Sequence, residues 1–156
     1  MDNRLFRDAM GKFATGITVV TTEYKGEIYG MTVNAFMSIS LDPKLIAISI
    51  DEKATMYEKL QDTKNFGLSI LSDKQKELSM IFARQKETDS EINYTFQDGK
   101  PVLKNSLATL SCTVKETTKA GDHLIFIAEV SDVELNSGQP IVYFGGEYQE
   151  INKKLD

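Results

Sequence analysis

A mainly β fold, an antiparallel Greek-key-like barrel that is closed or split and carries short peripheral helices, is predicted by three features of the sequence. Six or seven short runs rich in β-branched and aromatic residues recur along the chain, turn-forming residues separate them, and helical periodicity is confined to brief segments at connections. A doubly wound parallel sheet would need a helix after nearly every strand. With 156 residues, 41% of them apolar, the chain is long enough for one ordinary core and short for two, so a single domain over residues 1–156 is expected.

The elements follow in order. Leu5, Phe6, Ala9, Met10 and Phe13 recur at helical spacing after Asp2 and Asn3, which can cap, and Gly16 marks the expected stop of an amphipathic helix. Ile17 to Thr22 and Ile28 to Val33 read as strands of a hairpin turned within Tyr24 to Glu27. Beyond Asp42-Pro43, Leu45, Ile46, Ile48 and Ile50 alternate as a further strand, a short helix covers Thr55 to Leu60, and Phe66 to Leu71 is extended again.

Ser72-Asp73-Lys74-Gln75 fits a capping box ahead of a helix with the apolar stripe Leu78, Ile81 and Phe82. Arg84 to Lys100 reads as one long polar loop, a length associated with lids or mobile segments. Leu107 to Thr117 and Leu124 to Leu135 are expected as long strands joined around Lys119-Ala120-Gly121-Asp122, and Ile141 to Phe144 as the last strand.

Composition narrows the chemistry. A formal net charge of −5 without a concentrated Lys/Arg run argues against a nucleic-acid partner. No apolar run reaches membrane-spanning length, so no membrane partner is expected. Cys112 is the only cysteine, which leaves no intrachain disulfide, and nothing at the N-terminus resembles a signal peptide, so the expected location is cytoplasmic. One histidine and one cysteine support neither a metal site nor a Cys-His nucleophile pair, and no dinucleotide-binding, Walker or Gly-x-Ser-x-Gly motif is present.

The most informative segment is Gly30 to Pro43. It alternates like a strand, yet small hydrogen-bonding side chains occupy its middle. If the chain is extended there, Thr32 and Asn34 project to one side, and the segment is either a half-buried strand or the edge of a site for a planar polar ligand. Lys53-Ala54-Thr55 falls between a strand and a short helix, where backbone N–H groups, a hydroxyl and an ammonium can converge on a phosphate, or where Thr55 caps the helix and Lys53 is solvated. Arg84 adds a second cation or is plain surface. His123 is either a surface turn residue or an imidazole at the barrel mouth. Tyr143, Phe144 and Tyr148, around Gly145-Gly146, suit either the core or the wall of a flat pocket.

These motifs occur together in one resemblance. Phe13-Ala14-Thr15-Gly16-Ile17-Thr18-Val19-Val20-Thr21-Thr22, the segment through Ser38-Ile39-Ser40-Leu41-Asp42-Pro43, Phe82-Ala83, Gly121-Asp122-His123 and Val142-Tyr143-Phe144-Gly145-Gly146-Glu147-Tyr148 stand in the order seen in flavin reductase-like domains. Nearly the whole chain resembles that family, which includes the reductase components of two-component aromatic monooxygenases.

The resemblance implies an FMN-binding split barrel, a homodimer, that uses NADH or NADPH to reduce FMN, with FAD as an alternative flavin, and supplies reduced flavin by diffusion to a monooxygenase. Carried over by motif, Thr32, Val33, Asn34 and Ala35 would contact the flavin ring, with Ser38 and Ser40 nearby. Lys53, Ala54 and Thr55 would take the phosphate, Phe82, Ala83 and Arg84 would border the ribityl-phosphate or adenine side, Tyr148 would wall the pocket, and His123 would sit by the nicotinamide as the catalytic-site residue. Many relatives have Ser where this chain has Asn34 and Ala35, and Ser or Asn in place of Ala54, which shifts weight onto backbone amides. An FMN-holding electron-transfer or redox-responsive flavoprotein without efficient nicotinamide oxidation, and a flavin-free interaction module, are the competing readings.

Overall fold

The computed structural model describes residues 1–156. Seven strands form one antiparallel sheet: β1 (Thr18–Tyr24), β2 (Glu27–Val33), β3 (Phe36–Leu41), β4 (Lys44–Asp51), β5 (Asn65–Ile70), β8 (Ala108–Ala120) and β9 (His123–Leu135). Two small hairpins, β6 (Tyr94–Gln97) with β7 (Lys100–Leu103) and β10 (Val142–Phe144) with β11 (Glu147–Gln149), lie outside it. The helices are α1 (Asn3–Met10), α2 (Thr55–Thr63) and α3 (Lys76–Phe82), the last preceded by a 3-10 turn at Asp73–Gln75.

Strand order in the sheet is β2-β1-β5-β8-β9-β4-β3. The outermost strands, β2 and β3, are consecutive in sequence and separated only by Asn34 and Ala35. Two residues span at most about 7 Å, so the sheet must roll until its edges nearly meet. Bulges help it curve: β3 carries one between Ser38 and Ser40 against β4, and the β8–β9 pair carries two.

Alternation places the barrel core. Ile46, Ile48 and Ile50 of β4 pack with Leu124, Phe126 and Ala128 of β9, Phe66 and Leu68 of β5, and Leu110, Cys112 and Val114 of β8. Met56 and Leu60 of α2 belong to the same cluster. Phe66 and Phe126 are fully buried, and each such side chain contributes ~1.5–3 kcal/mol. A second cluster, Ile17, Val19, Leu71, Leu103 and Ile141, lies under α3 and the small hairpins. Because Val20 faces one cluster and Val19 the other, β1 is buried on both faces, which explains its unbroken β-branched run.

Three sequence expectations are corrected. The first helix is capped by Asp2 but ends at Gly11, not Gly16, because the Gly11 carbonyl accepts from Gly145 N–H (2.8 Å) and the chain turns away. Its apolar residues Leu5, Phe6 and Met10 are exposed, so its amphipathic face packs on no core of this chain. The expected Arg84–Lys100 loop holds half a hairpin, turned by Asp98-Gly99 with both φ values positive (49° and 75°), the Asp-Gly signature of a tight hairpin. The chain likewise continues past Phe144 through Gly145-Gly146 into β11.

Buried polar bonds lock the β6–β7 hairpin to the sheet. Thr21 Oγ1 donates to the Pro101 carbonyl (2.5 Å), Leu103 N–H donates to Ser69 Oγ (2.9 Å), and Ser111 Oγ donates to the Gln97 carbonyl (2.6 Å). Gly67 permits this approach: a Cβ there would lie 1.8 Å from the Pro101 oxygen. Gly67→Ala is therefore expected to destabilise the fold by about 3 kcal/mol in urea denaturation. Gly16→Ala, with nothing within 4 Å of the new Cβ, should shift stability by less than ~0.5 kcal/mol. Equal stabilities for the two variants would refute the close packing.

Candidate functional site

The seam between the barrel's edges positions the first group of residues. β2 ends at Val33, so Thr32 and Asn34 do not share a strand face as their spacing suggested. Thr32 Oγ1 instead donates to the Ser79 carbonyl of α3 (2.7 Å), and Ser79 Oγ lies 2.9 Å from the Tyr148 hydroxyl. Val33 is buried in the barrel core, and its carbonyl accepts from Thr18 Oγ1 (2.6 Å). Asn34 and Ala35 are exposed in the link, where the Ala35 carbonyl accepts from Ser49 N–H of β4 (3.1 Å). Ser38 is exposed and Ser40 half-buried, on either side of the β3 bulge.

Further along β4 the strand gives way to a corner rich in charge. The Asp51 carboxylate accepts from Lys53 N–H (2.9 Å) and its carbonyl from Ala54 N–H (3.0 Å), turning the chain into α2. Ala54 occupies the cap position and supplies no side-chain acceptor, so the Thr55 and Met56 N–H groups are left for another oxygen, while Tyr57 N–H donates to the Ala54 carbonyl (3.1 Å). Thr55 does not cap its helix. Its Oγ1 accepts from Arg84 Nη2 at 3.1 Å, which brings the cation after α3 to the α2 N-terminus. Lys53, the α2 N–H groups, Thr55 and Arg84 together have the donor chemistry of a phosphate site.

Phe82 and Ala83 frame this corner differently from expectation. The Phe82 ring packs on Gly30, where a Cβ would lie 2.5 Å from its Cε1, and it joins the second core cluster. Ala83 is exposed. Tyr148 stacks edge-on against Tyr143 with centroids 5.5 Å apart, so it braces α3 through Ser79.

His123 opens β9 and pairs in register with Asp51 of β4 and Ala120 of β8. Its Nδ1 lies 2.8 Å from Asp122 Oδ1. This contact holds the Asp122 carboxyl below the usual carboxylate range. An ionised carboxylate can only accept, so Nδ1 carries a proton towards Asp122, and in the neutral ring Nε2 is the acceptor. Next to it, Lys119 pairs with Glu52, which raises the lysine pKa. The structure thus brings His123 beside the Lys53–Thr55 corner, with the Asn34–Ala35 link two positions back along β4.

Sequence reasoning passed over Ser79, which ties Thr32 to Tyr148, and Asp51, which shapes the corner. It also passed over Thr15, whose Oγ1 is buried without a hydrogen-bond partner beside Asn34. A cavity of about 940 Å³ lies between the 3-10 turn and residues 136–139 and includes none of the expected site residues. Its lining mixes Lys74 and Lys104 with Asp73, Glu77 and Glu91 and offers no net field for an anion.

The profile of the flavin reductase-like domain matches residues 10–152. The chain belongs to this family. Among characterised flavin reductase-like proteins, the NADH-dependent flavin reductase StyB of Pseudomonas fluorescens is 39% identical over 153 residues, covering 95% of this chain and 89% of that protein. The reductase component of 4-hydroxyphenylacetate 3-monooxygenase from Thermus thermophilus is 36% identical over 148 residues, covering 94% and 95%. The solved structure of the flavin reductase PheA2 in its native state superposes with a TM-score of 0.96 at 50% identity, covering 98% of this chain and 100% of that one. The flavin reductase-like fold expected from the sequence is therefore the fold of this chain.

The Asp122–His123 contact has a measurable signature. Because the folded-state pKa of Asp122 is depressed, the contact favours folding at neutral pH, and the contribution fades as pH falls through that lowered pKa. In His123→Ala, NMR titration should find the Asp122 carboxyl moved up towards the ordinary range. An unmoved titration would remove the imidazole as its partner.

Proposed function

We propose that this chain is an NADH-dependent flavin reductase that supplies reduced flavin to a separate monooxygenase. The observation that carries the reading is the polar strip along β4. It runs from the Asn34–Ala35 link at the barrel seam to the Lys53–Thr55–Arg84 corner at the α2 N-terminus, with His123 beside it. Such a strip offers amides at one end and cations with helix N–H groups at the other, the complement of a planar heterocycle joined to a phosphate. Relatives that are named NADH-dependent flavin reductases and monooxygenase reductase components support the same assignment.

A bound flavin supplies the ring that accepts hydride from nicotinamide, the net reaction being NADH, flavin and a proton to NAD⁺ and reduced flavin. The chain's own part is binding and orientation. Lys53, Arg84, the Thr55 hydroxyl and the α2 N–H groups hold the phosphate end, and Asn34 with the link backbone holds the polar edge of the ring, where added negative charge is favoured by N–H donors. His123, fixed by Asp122, turns its Nε2 acceptor towards a carboxamide N–H of the nicotinamide and so sets the distance between the two rings. No acid or base has to transfer a proton for the hydride to move.

The site residues Thr32, Val33, Ala35, Ser38, Ser40, Ala54, Phe82, Ala83 and Tyr148 act chiefly by shaping this strip, Thr32 and Tyr148 through Ser79. A homodimer is part of the proposal. Met37, Ile39 and Leu41 on β3 and Leu5, Phe6 and Met10 on α1 are large exposed apolar side chains, and such surface favours a partner copy. Residues 1–156 then act as one catalytic domain, placed in the cytoplasm where NADH is drawn from the metabolic pool, and no helix is long and apolar enough to cross a membrane.

Steady-state oxidation of NADH with added free FMN tests the assignment. NADH should be consumed in proportion to added FMN, and a protein that retains FMN yet leaves NADH unoxidised would establish the electron-carrier reading instead. In the same assay His123→Ala should raise the KM for NADH about three- to tenfold, the loss expected for one hydrogen bond, while FMN affinity stays within about twofold. An equal loss for both ligands would count against the nicotinamide role.

A further inference from the structure

We propose that Thr15 is a flavin-contacting residue whose hydroxyl, together with Asn34, hydrogen-bonds the pyrimidine edge of the flavin ring. This rests on the flavin site described above and adds a contact to it. Thr15 Oγ1 is the one buried side-chain nitrogen or oxygen in the chain without a hydrogen-bond partner. An unpaired buried hydroxyl is costly, and its position here is not slack. Thr15 N–H donates to the Tyr143 carbonyl (3.0 Å), and Tyr143 N–H donates to the Thr15 carbonyl (2.8 Å), so the backbone is saturated and pinned while the hydroxyl alone is unspent.

Its surroundings point to a ligand. Thr15 and Asn34 line two adjoining clefts, about 310 and 760 Å³, that share Phe13 as a wall. In the smaller cleft the other walls include Ile17, Phe36 and Ile70, and of its three polar side chains Thr18 is spent on the Val33 carbonyl (2.6 Å), which leaves Thr15 and Asn34 for a ligand in an otherwise apolar slot. That composition matches a flat ring with one polar edge. The residue is half-buried and lines the cleft, and the proposed contact requires a turn about χ1 that brings the buried hydroxyl to the cleft surface.

Register decides which end of the ligand lies here. The Ala35 carbonyl is fixed on Ser49, β4 ends two residues on at Asp51, roughly 7 Å at the strand rise of about 3.3 Å per residue, and the phosphate corner begins beyond that end at Lys53. Thr15, beside Asn34, therefore stands at the end away from the phosphate. The pyrimidine edge of a flavin alternates carbonyl or nitrogen acceptors with one N–H, and a threonine hydroxyl with an asparagine amide can meet both kinds of group.

Fluorescence titration with lumiflavin, the ring without its ribityl phosphate, and with FMN isolates this contact. Thr15→Val, which keeps the shape and removes the hydroxyl, should weaken lumiflavin and FMN by the same factor, about three- to tenfold for one lost hydrogen bond. Thr15→Ser should restore most of the affinity for both. The double variant Lys53→Ala/Thr55→Ala should weaken FMN and leave lumiflavin unchanged. The proposal is overturned if Thr15→Val leaves lumiflavin affinity unaltered, if Thr15→Ser is as weak as Thr15→Val, or if only the KM for NADH rises. If the wild-type protein binds neither lumiflavin nor FMN, the flavin site itself fails, and the proposal with it.

Discussion

Closure of the sheet through a two-residue link is the constraint on which the rest of this structure depends. Because β2 and β3 are the two edges of a seven-stranded sheet and only Asn34 and Ala35 join them, the sheet cannot lie open. The link itself has no room to be strand. Its carbonyls accept from Phe36 N–H (3.0 Å) and Ser49 N–H (3.1 Å), which leaves the link's own N–H groups as the backbone donors a ligand meets at the seam. Everything placed near it is held by rigid elements: Thr32 on β2 by α3, Ala35 by β4, and Thr15 by Tyr143. The seam is thus both the point of greatest topological demand and the ring end of the proposed site.

Packing around the seam explains why the site is fixed rather than adaptable. Gly30 lets the Phe82 ring lie directly on β2, and Ser79 takes the Thr32 hydroxyl on one atom while its own hydroxyl meets Tyr148. Helix α3, β2 and the C-terminal hairpin therefore share one junction, and Arg84 follows immediately at the end of α3. Its guanidinium reaches Thr55 because the helix that carries it is seated on the barrel. Burial holds the Cys112 thiol pushed up to about 12, which keeps the lone cysteine protonated in the core and separates it from the redox chemistry of the site.

Local signals in the sequence reached most of the strands and all three helices. The Ile17–Val33 hairpin, the alternating β4 and the Ser72 capping box are all short-range patterns, and each is where the residues put it. Failures occurred where a distant contact decides. Gly11 rather than Gly16 stops α1 because Gly145 reaches its carbonyl, and the β6–β7 hairpin forms from a polar stretch because Thr21, Ser69 and Ser111 bond its backbone from the sheet. Thr32 and Asn34 separate because the strand ends at the seam, a consequence of global closure that no local alternation encodes. The Arg84–Thr55 contact joins residues 29 apart, and the sequence left Arg84 open between a second cation for the Lys53–Thr55 corner and plain surface, with the ordered family motifs favouring the former. Thr15 lay within the first family motif but was not singled out, since a threonine before a glycine looks like any turn residue until the missing hydrogen bond is seen.

The central claim is that the Asn34–Ala35 link and the α2 N-terminus are two ends of one flavin site. Amide hydrogen exchange with and without FMN measures this directly, because a ligand spanning the strip must slow exchange at both ends in a single binding event. The account predicts that residues 34–36 and 53–57 gain protection together, at the same half-saturating FMN concentration. Protection at only one end, or protection confined to the cavity between the 3-10 turn and residues 136–139, would contradict it.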